Sequence, residues 1–245
     1  MKYLKEFNTE NEYLAYRDGS NYLKPNVSLS DENGSVFYNF TPPPIVYEAV
    51  DLGLPSGTKW ATQNVGAYKP SDAGLYFQWG DTSGYTAAQI GTGDGQKKFA
   101  SDWSDYKWNA SEGFSKYNTD GDALELEDDA AHANMGGSWH MPTPTQIQEL
   151  IDNTTTSWTT QDSVNGRLFT SKKDGSKSIF IPAAGDAWNG SLDDSGVNGY
   201  VWSSMLSADD VYYGQSLYFR SGGAGLIDGR RCCGFSVRGV IGEIK

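Results

Sequence analysis

The sequence contains few cysteines and histidines and no long apolar run. Its two cysteines, Cys232 and Cys233, are neighbours in a chain of 245 residues. Adjacent cysteines form a disulfide only with a strained peptide geometry, so we expect no disulfide framework, which fits a reducing compartment. No stretch approaches the length of a membrane span, and the first residues lack the apolar core of a signal peptide. We therefore expect synthesis in the cytoplasm without a signal peptide and no membrane insertion.

Positive charge is also scarce. The chain has 19 lysines and arginines against 31 aspartates and glutamates, which gives a formal net charge of -12. Nucleic-acid binding relies on clustered lysine and arginine side chains, and a negative field opposes anionic lipids. The composition therefore argues against a nucleic-acid partner and against an anionic membrane surface.

Motifs of the common catalytic and metal sites are missing as well. The sequence has no GxSxG, HExxH or CxxC motif, and the adjacent cysteines do not have the spacing of a zinc site. The glycines between Gly223 and Gly229 do not match a dinucleotide fingerprint, because the third one is misplaced and no βαβ unit follows. His132 and His140 have no candidate nucleophile nearby in the sequence, so both are expected to be structural. We expect a protein that is not an enzyme and needs no cofactor.

The chain is rich in aromatic residues and glycine. Aromatic residues make up 13% of the chain, and there are 29 glycines. Such a composition, with short apolar runs, is typical of short strands joined by many turns. We predict an α+β fold with short twisted antiparallel strands, two or three short helices and long loops.

Residues 1–41 are predicted to form a small separate unit before a main domain at 42–245. Thr9 and Glu12 have the spacing of a capping box, which predicts a short helix. The alternating segments 27–30 and 35–38 predict a hairpin, and a proline-rich connector follows. We interpret this unit as an adaptor that docks on another protein or on the main domain. The alternative is the remnant of a longer chain.

Two stretches of the main domain carry clear local signals. Thr143 at a cap, Pro144 at the first helical position and Gln146 three residues after the cap predict the start of a helix. The segments 167–170 and 178–182 flank an Asp-Gly turn, which predicts a hairpin.

A long polar segment and an acidic stretch precede that helix. Residues 82–112 predict a loop with little regular structure. Residues 118–129 carry carboxylates at spacings similar to those of a calcium-binding loop, but Ala123 stands where the sharp turn requires glycine, and Asp129 where a glutamate is expected. Two alternatives remain for this stretch: a calcium ion, or a solvated acidic loop that leads into a helix at 129–134.

The C-terminal segment combines strand patterns with an irregular stretch. Apolar and polar residues alternate around 200–202, 217–219 and 235–237, which predicts half-buried strands. Between Arg220 and Cys233 the pattern stops, and this stretch contains four glycines and both cysteines. We predict a surface loop whose side chains contact something outside the fold, with a flexible glycine-rich turn as the alternative.

An ordered series of short motifs runs through residues 46–240. It comprises Val50-Asp51-Leu52-Gly53-Leu54, Lys59-Trp60-Ala61-Thr62, Asn64-Val65-Gly66-Ala67, Tyr76-Phe77 with Trp79-Gly80, Asp128-Asp129-Ala130-Ala131-His132, Gly136-Gly137-Ser138-Trp139, Met141-Pro142-Thr143, Phe180-Ile181-Pro182-Ala183-Ala184-Gly185, Trp202-Ser203-Ser204 and Gly234-Phe235-Ser236-Val237-Arg238. The series resembles the paralogous domain family related to formylglycine-generating enzymes. That family has a C-type-lectin fold, so the resemblance implies this fold for residues 42–245.

Within that family, the C-terminal segment is similar to the variable region of proteins diversified by retroelements. These elements rewrite adenines in selected codons, typically AAC, and every residue from Arg220 to Cys233 belongs to the set that this rewriting can yield. The resemblance implies a variable region at about 205–233 whose side chains project from one face. It also implies a framework of Trp202, Leu217, Phe219, Arg231, Phe235, Val237 and Arg238. The implied ligand-binding residues are Asp209, Asp210, Tyr213, Gln215, Tyr218, Arg220, Gly222, Gly225, Ile227, Asp228, Gly229, Arg230, Cys232 and Cys233.

The resemblance extends to partners. The N-terminal unit is similar to the short leading modules of tail and adhesion proteins from phages of gut bacteria. This implies a phage tail-tip protein, located in the virion, that binds a host cell-surface protein or glycan. A homotrimer, or attachment to another virion protein through the N-terminal unit, would suit that role. The alternative is a bacterial cell-surface adhesin or glycan-binding module of the same fold. A more remote one is a formylglycine-generating-type oxidase, which requires two suitably spaced cysteines that this chain lacks.

Overall fold

The computed structural model describes residues 44–243 and, before them, the strand segments 3–6, 25–28 and 37–40. The chain divides into two compact units, Met1–Val46 and Tyr47–Lys245. Strands outnumber helices in the described residues, which agrees with the predicted α+β class. In the same residues, every helix is too short or too polar to cross a membrane.

The first unit contains a three-stranded antiparallel sheet. Strands β1 (Tyr3–Glu6), β3 (Phe37–Phe40) and β2 (Pro25–Ser28) lie in that order, and Ser28 is opposite Phe37. The pairing of β2 with β3 confirms the predicted hairpin, whereas the sequence pattern did not indicate β1. The predicted helix near Thr9, the hairpin turn and most of the proline-rich connector lie outside the described residues.

The second unit is built mainly from short strands. In chain order these are β4 (Ala49–Val50), β5 (Lys59–Ala61), β6 (Tyr76–Phe77), β7 (Thr154–Gln161), β8 (Val164–Ser171), β9 (Ser178–Pro182), β10 (Asp186–Trp188), β11 (Ser191–Asp193), β12 (Asn198–Leu206), β13 (Tyr213–Arg220), β14 (Gly223–Arg230), β15 (Phe235–Ser236) and β16 (Val240–Ile241). The helices are α1 (Ala130–Met135) and α2 (Pro144–Asn153), with short 3-10 turns at Ala87–Gln89 and Leu126–Asp128.

The central sheet of this unit has five strands in the order β14-β13-β12-β15-β6. Strands β12, β13 and β14 are consecutive antiparallel neighbours, whereas β15 runs parallel to β12 and antiparallel to β6. Smaller sheets have the orders β7-β8-β9, β16-β5-β4 and β10-β11. The pairing of β16 with β5 joins the end of the unit to its beginning.

Helix α2 begins at the predicted cap, and α1 begins one residue after its predicted start. At α2, the Gln146 N–H donates to the Thr143 hydroxyl at 3.2 Å and the Thr143 N–H donates to Gln146 Oε1 at 2.9 Å, a complete capping box. At α1, the Asp129 carboxylate accepts from the His132 N–H at 2.9 Å. The predicted helix at 129–134 is therefore confirmed, with its bounds shifted to 130–135.

In the main domain, the predicted hairpin at 167–182 is confirmed, whereas the predicted loop at 220–233 is wrong. Strands β8 and β9 pair antiparallel, as predicted. The stretch from Arg220 to Cys233 is not an irregular loop: most of it is strand β14, which pairs with β13 along its whole length. Its glycines lower the strand propensity, but pairing with β13 and the packing of Leu226 against the core outweigh that local preference.

The long polar segment at 82–112 is pinned to the core despite its lack of regular structure. Its described secondary structure is limited to the turn at Ala87–Gln89 and isolated bridges. Phe99 and Tyr106 are buried at 0% and 4% exposure. The prediction of a long irregular loop is confirmed, and these aromatic residues explain how it is held.

The central sheet is packed on both faces. Val201 belongs to a cluster that contains residues of α2, whereas its neighbour Trp202 belongs to a second cluster around Trp79 and Phe235. Successive side chains of a strand point to opposite faces, so one strand serves both clusters. The predicted framework is confirmed as buried: Trp202, Leu217, Phe219, Arg231, Phe235, Val237 and Arg238.

Candidate ligand-binding site

Aromatic rings stack across one face of the central sheet. The ring centroid of Phe235 is 4.1 Å from that of Trp202 and 4.7 Å from that of Tyr200. Nε1 of Trp202 donates to the Phe77 carbonyl at 2.8 Å, which fixes the buried end of the stack. Tyr200 is half-buried and forms its outer end.

Tyr218 extends this stack onto the next strand. It lies opposite Tyr200 in the β12–β13 pair, and the two ring centroids are 5.3 Å apart. The Tyr218 hydroxyl donates to Asn198 Oδ1 at 3.3 Å, and Asn198 Nδ2 donates to Asp194 Oδ2 at 2.6 Å. Both tyrosine rings are thus held in place while they remain partly exposed.

Strand β14 supplies two further positions on this face. Gly225 is opposite Tyr218, and Ile227 is opposite Ser216. Directly paired residues share a face, so both lie on the Tyr218 side. A Cβ atom added to Gly225 would have no heavy atom within 4 Å, and Ile227 is half-buried. Tyr200, Tyr218, Gly225 and Ile227 are called the tyrosine face below.

Other predicted site residues lie on the opposite side of the same hairpin, which corrects the expectation that all of them project from one face. Gln215 is opposite Asp228, and by strand alternation both point away from the tyrosine face. Tyr213 lies two residues before Gln215 in the same strand, so its side chain points to the same side, and it is half-buried. Asp228 is exposed, and its Oδ2 accepts from the Ser207 hydroxyl at 2.8 Å.

Four predicted residues lie at the two ends of the hairpin and are exposed. Arg220 and Gly222 are at the tip where β13 turns into β14, and Asp209 and Asp210 are in the loop between β12 and β13. The Tyr212 N–H donates to Asp210 Oδ1 at 2.8 Å, which orders that loop.

Three predicted site residues are buried, so their assignment to the surface is wrong. A Cβ atom on Gly229 would approach Phe235 Cε2 to 2.4 Å, because this glycine faces the aromatic stack. Cys232 is 0% exposed and Cys233 is 8% exposed. After β14 ends, the chain turns into the core, where Cys232 packs beside Tyr106 and Cys233 beside Phe235, in two different clusters.

Arg231 joins the turn after β14 to the long loop. Its guanidinium group donates to the Tyr106 hydroxyl at 2.8 Å and to the carbonyls of Tyr117, Val211 and Lys116 at 2.7, 2.9 and 3.2 Å. Burial lowers the pKa of Arg231, and the contact with Tyr106 opposes that shift. This side chain is occupied by structural contacts and belongs to the framework.

Arg230, the last residue of β14, has different surroundings. Its guanidinium carbon lies 5.3 Å from the ring centroid of Trp103 and 5.3 Å from that of Trp188. Its Nε is buried without a hydrogen-bond partner. Within the part of the chain that the structure describes, no carboxylate or carbonyl pairs with this guanidinium group. The two indole rings therefore hold an uncompensated positive charge in the partly exposed hairpin end.

Sequence reasoning missed three residues of this site. Tyr200 was assigned only to a strand, and Trp103 and Trp188 were not connected with the C-terminal segment. A signal was present, because large aromatic residues in polar, glycine-rich segments are typical of binding sites. The sequence did not show which arginine they would contact, since that depends on tertiary contacts between distant segments.

Carboxylates border the tyrosine end of the site. Burial raises the pKa of Asp186 to about 6, and repulsion from Asp193 and Asp194 adds to the shift. Burial, followed by the charge of Asp186, raises the pKa of Tyr200 to about 12. The Tyr200 phenol is therefore neutral at physiological pH and can both donate and accept a hydrogen bond.

The acidic stretch is organised around a lysine. Glu125, Glu127 and Asp128 each offer a carboxylate oxygen within 4.8 Å of the others, a grouping that could hold a metal ion. Lys116 Nζ lies 2.6 Å from Glu125 Oε2, 3.3 Å from Glu127 Oε1 and 2.6 Å from Asp128 Oδ2. The hydrogen bond with Asp128, followed by that with Glu125, raises the pKa of Lys116. The calcium alternative stays a prediction.

The two histidines contact backbone carbonyls. His140 is buried, with Nδ1 2.9 Å from the Met141 oxygen and Nε2 3.2 Å from the Gly242 oxygen. His132 Nδ1 lies 3.1 Å from the Trp139 oxygen. These contacts fit the structural roles predicted for both.

Comparison of the chain with models of protein families, with curated proteins and with solved structures gives no match. The assignment of a function therefore depends on the geometry of the site and on the sequence motifs.

Proposed function

We propose that this chain is a non-enzymatic ligand-binding protein with a C-type-lectin-like fold, and that the tyrosine face is its binding surface. Its ligand is a host cell-surface protein or glycan. The role that fits best is a phage tail-tip protein that attaches to another virion protein through its N-terminal unit, either alone or as a homotrimer.

The observation that carries the proposal is a rigid aromatic support beneath partly exposed tyrosines. Phe235 is fixed between Trp202 and Tyr200, and Tyr218 packs on the same stack. Side chains that are ordered before binding lose less entropy when a ligand arrives. Tyrosine also combines a large contact area with a polar group, which makes it a common anchor in recognition surfaces.

The same face can accept different side chains without a change in its support. Gly225 has open space around its Cβ position, whereas the Phe235 and Trp202 rings beneath are buried. A receptor-binding surface that is diversified needs this separation of variable positions from framework. The separation supports the proposed retroelement origin.

Contacts among the family motifs support the proposed fold. Arg238, in the last motif, donates to Asn64 Oδ1 at 2.8 Å and to the carbonyls of Ala61 and Phe180 at 3.0 Å each. Each of these partners belongs to a different motif of the series. One buried side chain thus connects four motifs from three distant parts of the sequence, as expected if the series defines a common framework.

Binding of the purified full chain to a panel of bacterial cells and to an array of purified glycans tests the proposal. We expect binding that Tyr218→Ala weakens at least tenfold, because the substitution removes the central ring of the tyrosine face. The matched control is Tyr68→Ala, which removes a tyrosine that is 37% exposed outside this face. Thermal unfolding of each variant verifies that the fold is retained.

Two results would contradict the proposal. One is binding that persists at full strength in both Tyr218→Ala and Gly225→Arg, since the ligand would then contact another surface. The other is copper-dependent turnover of a thiol substrate, which would favour the oxidase alternative.

A further inference from the structure

We propose that Arg230 recognises a carboxylate and that it selects an acidic sugar unit within a glycan ligand. The inference rests on the proposed ligand-binding function and adds a second contact outside the tyrosine face, because Arg230 pairs with Tyr213, which points away from that face.

The guanidinium group is fixed before any ligand binds. Trp103 is itself held by edge-on contacts with Tyr106, Phe114 and Tyr212, at centroid distances of 5.4, 5.1 and 5.6 Å. Trp188, the second contact of the guanidinium group, packs against two buried clusters. A cation in contact with two aromatic rings is stabilised electrostatically. Its orientation is therefore set in advance, which lowers the entropy lost on binding.

In the described residues the terminal donors of Arg230 have no partner, in contrast to those of the other arginines in the core, although Arg167 Nε is also buried without a partner. The guanidinium groups of Arg231 and Arg238 donate to carbonyl and side-chain oxygens. Arg167 donates through both terminal nitrogens, to Thr156 Oγ1 and the Arg220 carbonyl. Arg230 has no such partner in the described residues, and its residue as a whole is only half-buried. A planar guanidinium group with free terminal N–H donors matches a carboxylate in a two-point contact.

Residues at the same end of the hairpin favour a sugar over an acidic peptide. Tyr213 is directly opposite Arg230, and the exposed carboxylates of Asp210 and Asp228 belong to the same end of the hairpin. Carboxylates accept hydrogen bonds from sugar hydroxyls, but they repel a ligand that carries several acidic groups. The formal net charge of -12 also repels a ligand that carries several acidic groups. A ligand with one carboxylate and several hydroxyls fits both the cation and its surroundings.

Ligand-observed NMR titration of the full chain provides the test. The probes are glucuronic acid and N-acetylneuraminic acid, with methyl glucuronate as the matched uncharged ligand. N-acetylaspartate methylamide represents an acidic protein side chain.

We expect the wild type to bind the two acids about tenfold more tightly than the ester. Arg230→Lys is expected to remove about this tenfold preference and to leave affinity for the ester unchanged, because lysine lacks the planar fork. Lys177→Gln, at an exposed position outside the predicted binding residues, is the control and should retain the preference.

A second measurement needs no substitution and covers the case in which Arg230→Lys unfolds. The indole N–H signals of Trp103 and Trp188 should shift on addition of glucuronic acid but not of its methyl ester, since these rings contact the guanidinium group.

The outcomes separate this inference from the proposed function. Equal affinity for acid and ester, or N-acetylaspartate methylamide binding as tightly as the sugars, would overturn the acidic-sugar assignment. If the acidic sugars do not bind while cell or glycan binding still depends on Tyr218, the inference fails and the proposed function stands. If Tyr218-dependent binding is absent as well, both fail.

Discussion

Gly225 and Gly229 show how strongly the tolerance of a single position depends on its neighbours. They lie four residues apart in β14 and therefore face the same side of the sheet. A Cβ atom on Gly225 would have no heavy atom within 4 Å, whereas one on Gly229 would lie 2.4 Å from Phe235 Cε2 and 3.0 Å from Trp202 Cη2. The aromatic stack covers one glycine and leaves the other open, although both belong to the predicted variable segment.

The pair gives a prediction at the scale of single residues. Gly225→Ala should raise the free energy of unfolding by about 0.5 kcal/mol, because alanine restricts the unfolded chain and fits the strand. Gly229→Ala should lower it by about 2 kcal/mol, because the new methyl group overpacks the stack. Urea denaturation followed by circular dichroism measures both. A neutral effect of Gly229→Ala would show that the stack can move aside.

Helix α2 illustrates the scale of the element, at which local signals specify the structure. Its apolar residues Ile147 and Leu150 are fully buried against the central sheet. Its first turn is closed by the capping box of Thr143 and Gln146. Capping, helix propensity and tertiary packing all favour the same start, so the sequence alone was sufficient to predict it.

Two threonines of this helix provide the second prediction. Thr143→Ala should lower the free energy of unfolding by about 1 kcal/mol, because the N–H of Gln146 loses its side-chain acceptor. Thr145→Ala, two residues later at an exposed position, should change stability by less than about 0.5 kcal/mol in the favourable direction, since alanine has the higher helix propensity. Urea denaturation of both variants and the wild type measures these changes in the free energy of unfolding. Equal effects would mean that the cap does not contribute.

At the scale of the whole second unit, irregular loops are held by buried arginines rather than by secondary structure. Arg231 donates to four oxygens, three of which belong to the segment from Tyr106 to Tyr117. This segment has little regular structure of its own. A guanidinium group can satisfy several carbonyls at once, and for this reason one side chain can order a loop far away in the sequence.

The third prediction concerns this connection. Arg231→Lys should lower the free energy of unfolding by about 3 kcal/mol, because lysine keeps the charge but cannot reach all four acceptors, which leaves buried carbonyls unpaired. Limited proteolysis should also cut the loop near residues 106–117 faster than in the wild type. Arg220→Lys, at the exposed hairpin tip, should change neither quantity. Unaltered proteolysis in Arg231→Lys would argue that other contacts hold the loop.

How far the sequence predicted the site depended on the range of the interactions. The apolar framework could be predicted because its residues alternate within their own strands, as Leu217 and Phe219 do, whereas Arg231 and Arg238 were implied only by the family resemblance. The burial of Cys232 and Gly229 could not, because it depends on Phe235 and on a loop whose position no local pattern specifies. Trp103 and Trp188 were missed for the same reason: their contact with Arg230 joins three segments that are distant in the chain.

Local patterns in the sequence were sufficient to predict the α+β class, the start of α2, the β8–β9 hairpin and the apolar part of the buried framework, because periodicity and capping act over a few neighbouring residues. Three features depended on tertiary contacts: that the glycine-rich stretch is a strand, which of its residues are accessible, and that Arg230 contacts two indole rings. Pairing with β13 and packing against distant aromatic residues supply free energy that no local propensity contains, and these interactions form only when the chain is folded.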